Sequence, residues 1–417
     1  MKIALTCIFI FVLTFNGFSQ IERIVRINPV LDTANADFKE IFDFWKNYMD
    51  KLNAKSIRTA GLLNRMDDEL KSYWDDNETN TYSFVDLYYS FMSSIGNVWF
   101  TNDVEYFLGV AKRDSNLFEL KTIFVTRDDS FFKGFPSIMI TVPIQKINGT
   151  FKLQNTFSSS KRQLKKRTFS NVIYYYPETY SFIDSTAESL NQRVEAFKKN
   201  FQINNQDTIT YLVANNKTEI SKWFGIEYYN VDFVSASNTI QGGYITNNKI
   251  ILSGGGGENY LHEIIHLLLS EIQHGRYIYF EEGLASYFSE HVGKPYSFHI
   301  GRFKEFLQQN SWIDLSKSLY GYSKDSTGSI IYKPQSDDAE MQLIRYRDER
   351  STYNFQYMIH AVICDIAFRM GSYDKVKELF RAKADNEQDF YRNVECILGI
   401  EQDDLNNYLR DFVNSNY

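Results

Sequence analysis

The stretch from residue 261 to residue 269, Leu-His-Glu-Ile-Ile-His-Leu-Leu-Leu, constrains the fold of this chain more than any other part of it. All of its residues are apolar except His262, Glu263 and His266, and this composition predicts a helix that is buried on most of its surface. Since an α-helix completes a turn in about 3.6 residues, His262 and His266 lie one above the other on one face. Two imidazoles at this spacing can bind one tetrahedral zinc ion, with Glu263 beside them as a base that takes a proton from water.

A zinc ion that keeps one coordination position open for water needs a third protein ligand. Residues 280–288, Phe-Glu-Glu-Gly-Leu-Ala-Ser-Tyr-Phe, predict a second helix with acidic residues in its first turn. Glu282 can supply the third ligand, and Glu281 is the competing choice. The alternative is that the two histidines are structural. The chain contains only six histidines, however, and two of them framing a glutamate by chance is uncommon.

The pair of motifs His-Glu-x-x-His and Glu-Gly-x-Ala resembles the gluzincin zinc metallopeptidases, a group that includes thermolysin-like and aminopeptidase-like enzymes. The resemblance covers residues 185–417. It implies one Zn²⁺ ion per chain, held by His262, His266 and Glu282, with Glu263 as the general base. It also implies a peptide or protein substrate, whose peptide bonds are hydrolysed by a water molecule that zinc and Glu263 activate.

The resemblance further implies a tyrosine that stabilises the oxyanion of the reaction. In the aminopeptidase-like branch this tyrosine lies in a Tyr-x-x-Gly-Ala helix start. Here Tyr357-Met-Ile-His360-Ala aligns with that start, with His360 in place of the glycine. Tyr353 is the second candidate, and both tyrosines can instead be core residues.

Two parts of the family pattern are missing from this chain. The Gly-x-Met-Glu-Asn segment, with which aminopeptidases recognise a substrate's amino terminus, is absent at the expected place, so the choice between exopeptidase and endopeptidase activity stays open. Thermolysin-like members place a carboxylate four residues after the glutamate ligand, where this chain has Ser286. The residue that supports the histidine ligands is therefore also open.

Residues 1–19 predict a secretory signal peptide, with a lysine, an apolar segment and a small or polar exit before Gln20. The apolar segment of about 13 residues is short for a membrane span, which needs roughly 20. The net charge of −7 argues against nucleic acid as a partner. We therefore expect a protein that is secreted or held in the periplasm or cell envelope, with no stable membrane insertion after removal of the signal.

The order of the predicted elements indicates an α+β fold with two domains after the signal peptide. Residues 20–177 are expected to form an N-terminal α+β accessory domain, similar to cystatin or NTF2-like folds. Its predicted helices lie at 37–52 and 82–95, and its predicted strands at 104–107, 119–125, 138–147 and 150–154. Asn148-Gly149 predicts a hairpin turn, and Pro143 predicts that its strand lies at a sheet edge or contains a bulge.

Residues 178–417 are expected to form a two-lobed, gluzincin-like metallopeptidase domain with a mainly helical C-terminal lobe. The predicted elements before the zinc helix are a helix at 185–201 and strands at 208–213, 228–234 and 242–252. Residues 243–253 occupy the position where family members bind an extended substrate, and a purely structural edge strand is the alternative. The predicted C-terminal helices lie at 355–370, 375–384, 387–398 and 403–413.

Three further features leave alternatives open. Cys364 and Cys396 can form a disulfide in an oxidising compartment or remain as two buried thiols. The basic run at 161–167 predicts a solvated loop, or else a site for an anionic partner. The alternative function is a catalytically inactive, zinc-carrying or metal-free protein that binds peptides or proteins on a peptidase scaffold, although the intact Glu263 favours an enzyme.

Overall fold

The computed structural model describes residues 24–28, 36–56, 68–75, 103–126, 136–204, 207–229, 241–245, 249–270, 277–291, 294–309, 311, 314–318, 322–324, 330–332, 345–347, 352–384 and 387–417. These residues form an α+β structure, which confirms the predicted fold class. The predicted signal peptide at 1–19 and the predicted helix at 82–95 lie outside the described residues. Contacts divide the chain into two compact units, Met1–Gln163 with Thr218–Ala236, and Leu164–Lys217 with Ser237–Tyr417.

The helices are α1 (Ala36–Ser56), α2 (Asp68–Lys71), α3 (Thr156–Lys161), α4 (Asp184–Phe201), α5 (Lys217–Trp223), α6 (Leu261–Leu269), α7 (Ile278–Phe288), α8 (Tyr296–Gln309), α9 (Leu315–Ser318), α10 (Phe355–Arg381), α11 (Glu387–Leu398) and α12 (Leu405–Asn416). The strands are β1 (Val25–Ile27), β2 (Asp103–Lys112), β3 (Leu117–Thr126), β4 (Pro136–Ile147), β5 (Thr150–Leu153), β6 (Lys165–Phe169), β7 (Val172–Tyr176), β8 (Ile209–Ala214), β9 (Ile226–Tyr229), β10 (Gln241–Ile245), β11 (Ile250–Gly254), β12 (Glu290–His291), β13 (Lys294–Pro295), β14 (Tyr322–Lys324), β15 (Ile330–Tyr332), β16 (Arg345–Arg347) and β17 (Thr352–Asn354).

The first unit packs α1 against a six-stranded sheet, in which β1 to β5 follow in order and β9 pairs with β4. The apolar residues of α1 recur at three- and four-residue steps, so they form one buried face, as the sequence predicted for 37–52. The rings of Phe38 and Phe107 meet edge to face at 5.3 Å. The indole of Trp45 donates a hydrogen bond of 2.6 Å to the buried carboxylate of Glu105, which also accepts one from Thr122.

The β4–β5 hairpin confirms one turn prediction and corrects another. Asn148 and Gly149 both have positive φ, 50° and 81°, as a two-residue turn that follows the twist of the strands requires. The expectation of a sheet edge from Pro143 is wrong, because β4 is paired with β3 on one side and with β9 and β5 on the other. The alternative, a bulge, is found in β4 but not at Pro143: the register shifts against β3 between Pro136 and Ile138, and against β9 between Met139 and Ile140. The Pro143 carbonyl accepts a hydrogen bond from the backbone nitrogen of Gln154, on the side of β4 that faces β9 and β5. Because the carbonyl and the nitrogen of one residue in an antiparallel strand point to the same side, the Pro143 nitrogen also points there. Pro143 lies between residues 138–140, which pair with β9, and residues 144–147, which pair with β5. No ladder hydrogen bond is lost there.

The second unit contains a five-stranded sheet in the order β10-β11-β8-β7-β6. β7, β8 and β11 are parallel, and the central strand β8 is almost entirely buried, as strands covered on both faces are. β6 and β7 precede the predicted domain boundary at 177, yet they belong to this sheet because β7 pairs with β8. The strand predicted at 242–252 is two antiparallel strands, β10 and β11.

Two other stretches differ from their predictions. The strand expected at 228–234 begins two residues earlier, as β9 (Ile226–Tyr229), and joins the sheet of the first unit, whereas 230–234 lie outside the described residues. The basic run is not only a loop: Lys165 to Arg167 form most of β6, at the edge of the second sheet. There Lys165 pairs with Glu178 and Arg167 lies 3.8 Å from Asp184. Charged side chains on an edge strand discourage pairing with other chains.

The C-terminal part is helical, as predicted. α10 contains a break at Gly371 and Ser372, where the sequence predicted the end of a helix, and α11 has the predicted bounds. Cys364 is buried on α10 and Cys396 is exposed on α11, and both are free thiols, so neither a disulfide nor two buried thiols is correct. No helix in the described part of the chain combines the length and apolar character needed to span a bilayer.

Candidate metal centre

The histidine-bearing helix α6 begins at Leu261 and lies in the core of the second unit. Every residue of α6 except Glu263 is buried, and its aliphatic side chains share one core with residues of the sheet, α7 and α10. Glu258 lies in the loop before the helix, which begins at Leu261. Its buried carboxylate accepts a hydrogen bond of 2.9 Å from the backbone nitrogen of Ile183. The loop before α6 is therefore tied to the start of α4.

Helix α7 carries the two acidic residues and packs unusually closely against α10. A Cβ atom at Gly283 would lie 2.4 Å from the carbonyl carbon and the Cβ of His360, and 2.6 Å from the nitrogen of Ala361. Only glycine permits this approach without a shift of backbone. The glycine of the Glu-Gly-x-Ala motif therefore has a packing role, at the position next to Glu282.

The three predicted ligands lie together in an almost equilateral triangle. His262 Nε2 and His266 Nε2 are 3.2 Å apart, and Glu282 Oε2 lies 3.3 Å from the first and 3.4 Å from the second. Ligand atoms about 2.0–2.1 Å from a tetrahedral zinc ion are ~3.3–3.4 Å from one another. The donor set of two imidazole nitrogens and one carboxylate oxygen also suits zinc, so the residues fit a site of this kind.

Glu281 contacts His266 at the ring nitrogen that does not face the triangle. Its Oε1 lies 3.0 Å from Nδ1 of His266, and both side chains are about 95% buried. An ionised carboxylate can only accept, so Nδ1 of His266 carries a proton, and Nε2 is the ring nitrogen that faces the triangle and can bind a metal when it is deprotonated. The sequence named Glu281 as a competing ligand, whereas the structure places it on the other nitrogen of the histidine. Two consecutive residues of α7 thus reach the two sides of one imidazole.

The carboxylates and imidazoles of the site shift one another's pKa values. Burial opposes ionisation of Glu282, but His266 and His262 outweigh this effect and hold the pKa of Glu282 far below its usual value. Burial likewise acts to lower the pKa of His266, but the surrounding carboxylates of Glu282, Glu281 and Glu263 raise it well above its usual value. A positive charge at this place is therefore stabilised by several carboxylates.

Glu263 lies beside the triangle and is partly exposed, whereas the two histidines are only 3% and 5% exposed. Burial raises the pKa of Glu263, against the effect of the neighbouring histidines. The Glu282 side chain is 19% exposed. Solvent therefore reaches the site past Glu263 and Glu282.

The tyrosines that the sequence offered as oxyanion donors lie in different parts of the structure. Tyr357 is half-buried on α10 and packs against the core of the second unit, which is the alternative that the sequence left open. Tyr353 lies in β17, and its side chain is outside the described part of the chain. Sequence reasoning missed Tyr260, whose hydroxyl lies 3.4 Å from Oε1 of Glu263. Its place just before the helix, three residues from Glu263, was the available signal.

Comparison with protein-family models gives no match for this chain, and comparison with curated proteins gives none either. The assignment of a function therefore depends on the residues of the site and their geometry.

Proposed function

We propose that this protein is an exported zinc-dependent metallopeptidase of the gluzincin type, which hydrolyses peptide bonds in peptides or proteins. The single observation that carries the proposal is the triangle of His262 Nε2, His266 Nε2 and Glu282 Oε2, with edges of 3.2–3.4 Å. These atoms come from two helices and face one point. A base, Glu263, adjoins the triangle on its solvent side.

His262, His266 and Glu282 would hold the zinc ion, and Glu281 would keep His266 in the tautomer that binds metal. When bound, zinc supplies a Lewis acid that polarises a peptide carbonyl and makes water easier to deprotonate. Three protein ligands leave a coordination position open, which distinguishes a catalytic site from a closed structural one.

Glu263 would perform the proton transfers. Its carboxylate takes a proton from the attacking water and delivers it to the nitrogen of the leaving amine. The partial exposure of Glu263 gives substrate access to the carboxylate.

The test is Glu263→Gln, which removes the base and preserves the shape of the side chain. We expect hydrolysis of a peptide library to fall by about 10²–10⁴-fold, the usual contribution of a general base. Zinc content, measured by elemental analysis, should stay at one ion per chain. Glu305→Gln, at an exposed position of α8, is the matched control and should keep full activity. Retained turnover in Glu263→Gln would refute the proposal.

The same measurements distinguish the other readings. Stoichiometric zinc without cleavage of any library peptide by the wild-type protein would favour a binding protein on a peptidase scaffold. A protein without zinc, whose melting temperature does not change with a chelator, would leave the histidine pair as a structural element. Mapping the cleaved bonds by mass spectrometry would separate exopeptidase from endopeptidase activity.

A further inference from the structure

Tyr260 occupies a distinctive place beside the proposed base. Its side chain is buried, with 7% of its surface exposed, and its hydroxyl lies 3.4 Å from Oε1 of Glu263. The ring lies nearly parallel to the imidazole of His262, at a centroid distance of 6.1 Å and an angle of 20°. Tyr260 thus lies next to both the proposed base and a proposed metal ligand.

The backbone of Tyr260 is also anchored. Its nitrogen donates a hydrogen bond of 3.0 Å to the hydroxyl of Tyr211, and that hydroxyl donates one of 2.8 Å to the carbonyl of Gly257. The Ser253 hydroxyl donates to the same carbonyl at 2.8 Å. Side chains from β8 and β11 therefore hold the loop before α6, and they fix the position from which the phenol of Tyr260 extends.

We propose that Tyr260 is a positioning residue, whose hydroxyl holds the Glu263 carboxylate in the orientation that proton transfer requires. This inference rests on the proposed function. A phenol at neutral pH donates one hydrogen bond, and a carboxylate can accept it with one oxygen while the other remains for water. Glu263 is only partly buried, so without this contact its side chain can adopt other rotamers. A base must lie within hydrogen-bond reach of the proton it removes, and loss of that alignment slows the reaction.

Tyr260→Phe tests the role, because it deletes only the hydroxyl. We expect kcat for peptide hydrolysis to fall about 10- to 100-fold, as is typical for a hydrogen bond to a charged group, with KM within about twofold. Zinc stoichiometry should not change. The matched control is Tyr174→Phe, another buried tyrosine, whose hydroxyl lies 3.4 Å from the carbonyl of Glu258 in the same loop. Its kcat should stay within about twofold of the wild-type value.

A second measurement does not depend on activity. Melting temperatures of the zinc-free proteins Tyr260→Phe, Glu263→Ala and the double variant form a thermodynamic cycle. If the hydroxyl contacts the carboxylate, the shift of the double variant should be smaller than the sum of the single shifts, by about 2 °C or more. Tyr174→Phe combined with Glu263→Ala should give additive shifts.

The outcomes are distinguishable. A wild-type protein without turnover overturns the proposed function and the positioning role with it. Wild-type turnover with an unchanged kcat in Tyr260→Phe overturns the positioning role alone, as do additive shifts in the Tyr260–Glu263 cycle. A lower kcat with an unchanged KM and non-additive shifts supports it.

Discussion

Replacing Gly283 with alanine tests whether the close packing of α7 against α10 sets the position of Glu282. The added Cβ would lie 2.4 Å from two atoms of His360, whereas ordinary van der Waals contact begins at 3.4 Å. The helices must therefore separate by about 1.0 Å (3.4 − 2.4) at this point, because the contacted atoms belong to the backbone of α10 or lie directly on it.

Two opposing effects determine the stability of Gly283→Ala. Overpacking of a core costs about 1–3 kcal/mol, and contact with backbone favours the upper end of that range. Alanine in a helix is more favourable than glycine by about 1 kcal/mol. The net loss should be about 2 kcal/mol in the free energy of unfolding. A shift of about 1 Å also exceeds the tolerance of zinc–ligand distances, roughly 0.2 Å, so zinc affinity should fall at least about tenfold.

Gly301→Ala is the matched control, because it makes the same change inside helix α8, where a Cβ meets nothing within 4 Å. It should stabilise the protein by about 0.5–1 kcal/mol and leave zinc affinity unchanged. Denaturant unfolding followed by circular dichroism and zinc titration against a competing chelator measure the two quantities. A shift of the unfolding midpoint in the same direction in both glycine variants would show that close packing at Gly283 does not determine stability there. A loss of stability in Gly283→Ala with wild-type zinc affinity would show that this packing does not set the position of Glu282.

Two further predictions concern α7 and the cysteines. Glu281→Gln keeps an acceptor near Nδ1 of His266 but removes the negative charge, so zinc affinity should fall about 10-fold or more in a competitive titration. The control Glu395→Gln, at an exposed position of α11, should not change the zinc affinity. Equal affinities of Glu281→Gln and the wild type would exclude a supporting role for Glu281. Burial, and to a lesser extent the charge of Asp365, raises the pKa of the Cys364 thiol. An alkylating reagent should therefore modify the exposed Cys396 in the native protein and Cys364 only after denaturation. Peptide mapping would detect the modified residues.

The features that the sequence predicted well are local ones. The three- and four-residue spacing of apolar residues located α1, and Asn148-Gly149 located a turn whose two residues need positive φ. The two histidines four residues apart located one face of α6. In each case the residues that carry the pattern are near one another in the chain, so their arrangement follows from one element.

The features that the sequence did not predict depend on contacts between distant residues. The partner of Glu281 follows from the way α7 crosses α6, and the need for Gly283 follows from the approach of α10. The pairing of β9 with β4 joins residues far apart in the chain, and it also explains why Pro143 lies in a strand paired on both sides. A pattern within one short stretch of sequence does not predict contacts between residues that are far apart in the chain.

The path of the chain between the two units has a consequence for folding and for dissection of the protein. The chain leaves the first unit after Gln163, returns to it for Thr218–Ala236, and leaves it again. During synthesis the first sheet therefore stays incomplete until β9 has emerged, after the strands β6 to β8 of the other sheet. A fragment that stops at Pro177 would leave Ile138 to Ile140 of β4 without their neighbour, and such an open strand invites aggregation. Independent expression of the first unit would need residues 218–236 to be joined back to it.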